Sequence, residues 1–236
     1  LYVNLGDSIA AGYGVSRSYA DLLYTNQDST YPAYKGKDLS KRFTNLSYHD
    51  GAISGSTSAQ MVQQLSKVPQ NASGHTLVTI SAGGNDLLFN YTVIFDPAKV
   101  KNYAAQVTAN LKKAVDHFAD KQRYPGGATV VFFNLYNPTD GVGTIPASVP
   151  VVSQCGQFKQ ALELLRPLLL SQLALYNSEL AKWASATPGI YLADIHNAFL
   201  GHGYHYADSG SPFYNAADPT LWFSYDCIHP NQAGHL

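Results

Sequence analysis

Short apolar runs alternate along this chain with longer stretches in which apolar side chains recur every three or four positions. Leu1-Tyr-Val-Asn-Leu5 is a run with β-branched and aromatic character that stops at Gly6. Arg42–Tyr48 alternates, Thr76–Ile80 and Ala128–Phe133 are continuous, and Gly189–Ala193 is short and apolar, so these segments predict four further strands. Continuous runs such as Thr76–Ile80 suit a strand buried on both faces of a parallel sheet. Between them, Ser58–Val68 carries Met61, Val62, Leu65 and Val68 at helical spacing. Asp96-Pro97 marks a second helix start, a capping Asp followed by Pro in the first turn. That helix presents Val100, Tyr103, Val107, Leu111, Val115 and Phe118 on one face and ends before Pro125. Gln157–Ala186 is a long helical stretch in which Pro167 predicts a kink or a break. Tyr13–Lys41 reads as helix plus loop, Asn137–Pro150 as a long functional or mobile loop, and Asp194–Tyr225 as mostly loop.

Strands alternating with helices predict an α/β fold, a five-stranded parallel sheet with helices on both faces. In such a sheet the C-terminal ends of all strands lie along one edge, where ligands bind. Ser8, Gly55 and Asn85 each follow a predicted strand by a few residues, so this topology carries three dispersed segments to one rim. No linker divides the 236 residues, which are expected to form one domain.

Composition narrows the partners. The formal net charge is −1 and only 13% of residues are charged, which leaves no basic excess for nucleic acid. No run reaches the roughly 20 apolar residues of a membrane span; Leu162–Leu175 is interrupted by Glu163, Arg166, Pro167 and Gln172. The chain opens directly on a strand without Met, which points to a processed or trimmed N-terminus. Together with 17 Tyr and few charges, this leans towards a secreted or periplasmic protein. Glycosylation-type triplets occur at Asn45-Leu-Ser, Asn71-Ala-Ser and Asn90-Tyr-Thr.

Ser8 taken alone reads first as a helix cap. Asp226-Cys-Ile-His229 at the far end changes that reading. A Ser hydroxyl needs a base to take its proton, and the base works best when a carboxylate orients it. Asp226 and His229 are close enough in sequence for one turn to point both side chains the same way. Asp226 would then hold one ring nitrogen of His229 while the other faces Ser8. The backbone N–H groups of Ser8 and Gly55 and the amide of Asn85 would receive the oxyanion. Gly55 alone reads equally well as a turn glycine.

Gly6-Asp7-Ser8-Ile9, Gly55 in Ile-Ser-Gly-Ser-Thr, Gly83-Gly84-Asn85-Asp86 and Asp226-Cys-Ile-His229-Pro resemble the four signature blocks of the SGNH (GDSL) hydrolases. All four stand in the family's order and span nearly the whole chain, with Ile9 in place of the usual Leu. The resemblance implies a three-layer α/β/α, flavodoxin-like sandwich and ester hydrolysis through an acyl-enzyme without a cofactor. It carries the nucleophile onto Ser8, the acid and base onto Asp226 and His229, and oxyanion donors onto Ser8, Gly55 and Asn85.

Asp86 is expected to be a structural hydrogen-bonding residue. His196, His202 and His205, with Asp194 and Asp208, lack the i, i+4 spacing of a zinc-protease helix, so no metal is expected. There is no G-x-S-x-G elbow and no S-x-x-K pair. Leu87, Leu88, Phe89 and the Ile145–Val152 loop favour an acyl-chain ester, as in an esterase or lipase; Tyr204–Tyr225 equally suits stacking on an acetylated sugar. A non-catalytic binding protein is the reading from another class, disfavoured because it has no need of all four residues Ser8, Asn85, Asp226 and His229. Cys155 and Cys227 either pair or stay as separate thiols. A bridge would close about 70 residues, worth roughly 4 kcal/mol in a disputed chain-entropy account.

Overall fold

A computed structural model of the chain describes residues 1–90, 95–150 and 153–236, with side chains of the last segment from 168 onward. The end of the Ile145–Val152 loop, most of the Asn90-Tyr-Thr triplet and the Cys155 side chain lie outside the described residues. Five parallel strands form one sheet: β1 (Tyr2–Gly6), β2 (Tyr48–Asp50), β3 (Thr76–Ser81), β4 (Ala128–Phe133) and β5 (Ile190–Ala193), in the order β2-β1-β3-β4-β5. The helices between them are α1 (Tyr19–Tyr24), α2 (Ser58–Gln64), α3 (Gly84–Leu88), α4 (Pro97–Ala119) and α5 (Ser153–Ser185), and α6 (Ile195–Phe199) follows β5. Parallel neighbours cannot be joined by hairpins, so each connection crosses over the sheet.

The strand order reverses beside β1, where the chain steps out to β2 and returns to β3. This is the switch point at which open α/β sheets hold ligands. The ladder pairs Gly6 with Ser81 at that edge. All five residues of β1 are buried, as a strand covered on both faces requires.

Capping follows the local sequence. Thr57 and Gln60 form a reciprocal capping box at the start of α2, which tightens into a 3₁₀ turn at Leu65–Lys67. Asp96 accepts from the Ala98 N–H ahead of α4, and Pro97 occupies a first-turn position where its missing N–H costs nothing. Val100, Val107, Leu111 and Phe118 are buried along α4 as the spacing predicts, with Ala104 and Ala114 also facing inward while Tyr103 and Val115 are partly buried.

Two expectations are corrected. The second strand is Tyr48–Asp50, not Arg42–Tyr48, because its extent is set by the ladder to Tyr2–Asn4. The alternation upstream has no buried face to serve, and Phe43 is 58% exposed. Of the kink or break expected at Pro167, the break does not occur: helix α5 runs continuously from Ser153 to Ser185. A proline there forfeits one hydrogen bond, and the buried Tyr176 and Leu180 further along anchor the helix to the core. Asn71 of the second glycosylation triplet spends its amide on Gly74, His75 and Thr76, whereas Asn45 is exposed.

Candidate active site

The nucleophile candidate sits on a turn that the end of β1 makes obligatory. Gly6 has φ 132°, and a Cβ there would lie 2.0 Å from the carbonyl oxygen of Ser81, so only glycine fits. The Gln64 amide reaches from α2 to clamp it, accepting from the Gly6 N–H at 2.8 Å and donating to its carbonyl at 2.8 Å. Asp7 then turns inward. Its Oδ1 accepts from the Ile9 N–H at 3.0 Å and the Ser81 hydroxyl at 2.8 Å. Burial pushes the Asp7 carboxyl up to about 6, against those two hydrogen bonds. Ser8, next in the chain, is left facing outward.

Asp226 and His229 belong to a segment without regular structure that closes on itself. Phe223 and Pro230 form an isolated antiparallel bridge, and the Ser224 N–H donates to the His229 carbonyl at 2.9 Å. Cys227 turns the chain with φ 68°, unusual for a residue with a side chain. Its N–H donates to the Tyr204 hydroxyl at 3.1 Å. Tyr136 donates to the Ile228 carbonyl at 2.6 Å. Inside this loop Asp226 Oδ1 accepts from Ser224 Oγ, Ile228 N and His229 N at 2.7, 3.0 and 2.9 Å. Oδ2 lies 2.7 Å from His229 Nδ1. Partial burial alone would raise the Asp226 carboxyl. The bonds from the His229 ring, the two backbone N–H groups and Ser224 outweigh it and hold the carboxyl well below the ordinary range.

With Nδ1–H donating to a carboxylate, Nε2 of His229 is the acceptor, and it lies 2.8 Å from Ser8 Oγ. Ser8, His229 and Asp226 are thus joined in one relay. Tyr13, on the turn that follows Ser8, lays its ring 4.5 Å from the imidazole, centroid to centroid.

Asn85 opens α3 and lines the same cavity as Ser8. One of its amide hydrogens goes to the Ser56 carbonyl at 2.9 Å, which ties it to the loop bearing Gly55. The other remains available. Gly55 is exposed and does not line the cavity; its φ of 84° is the left-handed region that favours glycine. The N–H groups of Ser8 and Gly55 donate to no acceptor among the described residues. The cavity is about 240 Å³, walled mainly by Leu87, Leu88, Leu135, Leu169, Leu173 and Ile228.

The remaining candidates find other places. Asp86 accepts from Ser58 N at 2.8 Å and Ser58 Oγ at 2.6 Å, so it caps α2. His196, His202 and His205 are dispersed onto the carbonyls of Leu135, Thr220 and Thr144 at 3.0, 3.0 and 2.9 Å. Asp194 caps α6. Asp208 sits 3.8 Å from His205. In the Tyr204–Tyr225 segment Tyr204 is buried, its hydroxyl donating to the Ser224 carbonyl, whereas Phe213 and Tyr225 are 42% and 48% exposed. Phe89 is 64% exposed, outside the cavity. The sequence reading missed Gln64, Ser224, Tyr136 and Tyr204, whose partners are mostly distant in sequence. Only Ser224, two residues before Asp226, carried a local signal.

Residues 5–236 match the GDSL-like lipase/acylhydrolase family. No curated protein matches the chain by sequence. Among solved structures, the fold is similar to an extracellular lipase from Streptomyces rimosus, at 24% identity and TM-score 0.57, covering 99% of this chain and 94% of that one. It is also similar to the lipase Lip_vut3 from a goat rumen metagenome, at 19% identity, TM-score 0.57 and coverage of 99% and 91%. A phospholipase A1 from Streptomyces albidoflavus NA297 matches at 21% identity, TM-score 0.53 and coverage of 99% and 93%.

Proposed function

Because the chain belongs to the GDSL-like lipase/acylhydrolase family, and is a carboxylic ester hydrolase, we propose that Ser8 is its nucleophile and that an acyl chain occupies the adjoining cavity. The observation that carries this reading is the unbroken relay from Ser8 through His229 to Asp226, at 2.8 and 2.7 Å, at the edge of an apolar cavity. Ser8 Oγ attacks the ester carbonyl while its proton passes to His229 Nε2. Asp226 keeps the ring oriented and stabilises the imidazolium, as in other serine hydrolases. The oxyanion takes the free N–H groups of Ser8 and Gly55 and the second amide hydrogen of Asn85. The alcohol leaves with the His229 proton. Water, deprotonated by the same nitrogen, then attacks the acyl-enzyme and releases the carboxylic acid.

The apolar cavity walls favour an acyl-chain ester over an acetylated sugar. Rates across acyl esters of increasing length, run beside acetylated sugars, test this. Hydrolysis should rise with chain length and be slow on the sugars; fastest turnover of the acetylated sugars would overturn it.

We also read residues 1–236 as one domain and place the protein outside the cytoplasm, with Cys155 and Cys227 bridged. Among the described residues there is no free thiol, and no helix is long and apolar enough to cross a membrane. Thiol titration of unreduced protein tests the bridge: none should react, and two reactive thiols would refute it.

A further inference from the structure

The acyl cavity accounts for one half of an ester, and the alcohol half needs a place of its own. His229 Nε2 stands 2.8 Å from Ser8 Oγ. As the group that protonates the leaving alcohol, it requires the alcohol oxygen within hydrogen-bond reach. Ser8 lines the acyl cavity, but neither His229 nor Tyr13 does. Whatever the alcohol oxygen carries is therefore placed beside the imidazole, outside that cavity.

Tyr13 is the side chain it meets there. The residue stands between Gly12 and Gly14, both left-handed at φ 67° and 79°, and a Cβ on Gly12 would lie 2.8 Å from the Ser18 side chain. The Tyr13 N–H donates to the Ser8 carbonyl at 2.9 Å, so one turn fixes the nucleophile and the aromatic ring together. The ring is inclined at 41° to the imidazole, with centroids 4.5 Å apart. It remains 54% exposed, and the His229 side chain beside it is still 18% exposed. Orienting the imidazole does not require this contact, because Asp226 Oδ2 already holds Nδ1 at 2.7 Å. An exposed tyrosine is ordinary by itself; its contact with the group that protonates the alcohol gives this one a use.

We infer that Tyr13 is a specificity-determining residue for the alcohol half of the ester, its open face receiving an aromatic group, so that esters of aromatic alcohols are preferred over those of small ones. This rests on the reading that Ser8 is acylated and that His229 protonates the alcohol. A ring laid against the Tyr13 face gains more than the area it covers, whereas a methyl group offers no face. The contact leaves the acyl cavity and the oxyanion donors untouched.

The test compares methyl and benzyl esters of one acid. In the wild type the benzyl ester should have a kcat/KM about two- to tenfold higher, the size of one aromatic contact. Tyr13→Leu should reduce that ratio to about one, and Tyr13→Phe, which keeps the ring, should retain it. A flat profile in the wild type, or a preference kept in Tyr13→Leu, would overturn the inference. So would an equal loss on both esters, which would mean that Tyr13 only steadies His229. A second measurement does not depend on how much enzyme is folded. An aryl ester acylates Ser8, and added methanol or benzyl alcohol then competes with water. The alcohol gives its proton to His229 Nε2, its oxygen bonds the acyl carbon, and Ser8 Oγ leaves with that proton. At equal alcohol concentrations the benzyl-to-methyl product ratio should be about two- to tenfold higher in the wild type than in Tyr13→Leu; equal ratios would overturn the inference. Turnover of the methyl ester that survives Ser8→Ala would overturn instead the reading on which the inference rests, and is visible with no aromatic alcohol present.

Discussion

Ser8 and His229 meet at 2.8 Å, yet the two regions that bring them there are built on different principles. The turn after β1 inherits its position from the sheet: a buried strand, a ladder to β3 and a glycine that tolerates no side chain. The Phe223–Pro230 loop is itself neither strand nor helix; it packs on Phe199 of α6 and is held by side chains bonded to its backbone, among them Tyr136, Tyr204 and Asp226 itself. Each region contains one carboxyl, and the two are displaced in opposite directions. Asp7 is sealed in and pushed up to about 6; Asp226, half-buried and richly hydrogen-bonded, is held low. An acid beside a reactive centre can thus serve the fold or the chemistry, depending on whether donors or apolar walls surround it.

The largest expected effect erases the distinction between the regions. Ser8→Ala and His229→Ala should each reduce ester hydrolysis by about 10⁴-fold or more, and the double variant little further, since the relay acts as a unit. Additive losses in a kinetic cycle would show that the residues act separately. Next, Asn85→Ala should lower kcat by about 10²–10³-fold with KM little changed, since its free amide hydrogen is proposed to act on the oxyanion. A loss carried by KM would make it a substrate-binding residue.

The third prediction separates the two scaffolds. Gln64→Leu removes two hydrogen bonds to Gly6 and should cost about 2–3 kcal/mol in chemical denaturation while the folded fraction keeps its kcat. Tyr204→Phe should cost less stability, about 1–2 kcal/mol, but lower kcat, since the loop presenting the base loosens. The opposite partition would mean that the C-terminal loop is fixed without Tyr204.

The smallest effects concern pH. Asp7 is raised in the folded protein, so its contribution to stability is fully present below the unfolded carboxyl value of about 3.9 and is lost as pH rises through about 6. Asp226 is depressed, so its contribution is present above the unfolded value and is lost as pH falls through its lower folded one. Asp7→Asn should flatten the melting temperature across the first window. Ser224→Ala, which removes a donor to Asp226, should move the acid-side loss to higher pH. Unchanged melting profiles would detach both carboxyls from stability.

Sequence legibility divides along the same line. Strand runs such as Ala128–Phe133 and the helix from Pro97 were readable because burial on a sheet or helix face imposes a period. Ser8 and Asn85 could be placed near one edge because parallel topology decides where strands end. The support of Asp226 was illegible beyond Ser224. Tyr136 and Tyr204 sit in segments with no period, and the Tyr136 contact to Ile228 joins residues 92 positions apart. Nor could local pattern distinguish Arg42–Tyr48 from a strand, since alternation predicts an extended face but not whether a neighbour exists to cover it.

The separation of Ser8 from His229, 221 positions, has a consequence for the order in which the protein matures. Closing so long a loop costs only slightly more entropy than closing one half its length, but the contact cannot exist until nearly all of these residues have been made. The sheet and the nucleophile's turn need only earlier segments, so they can assemble around an inert hydroxyl. His229, the proposed base, follows all five strands in the chain, on a loop that takes its anchors from that framework. On the proposed roles, the pair becomes competent only once the later loop has seated on the earlier framework, so local opening of that loop would separate His229 from Ser8.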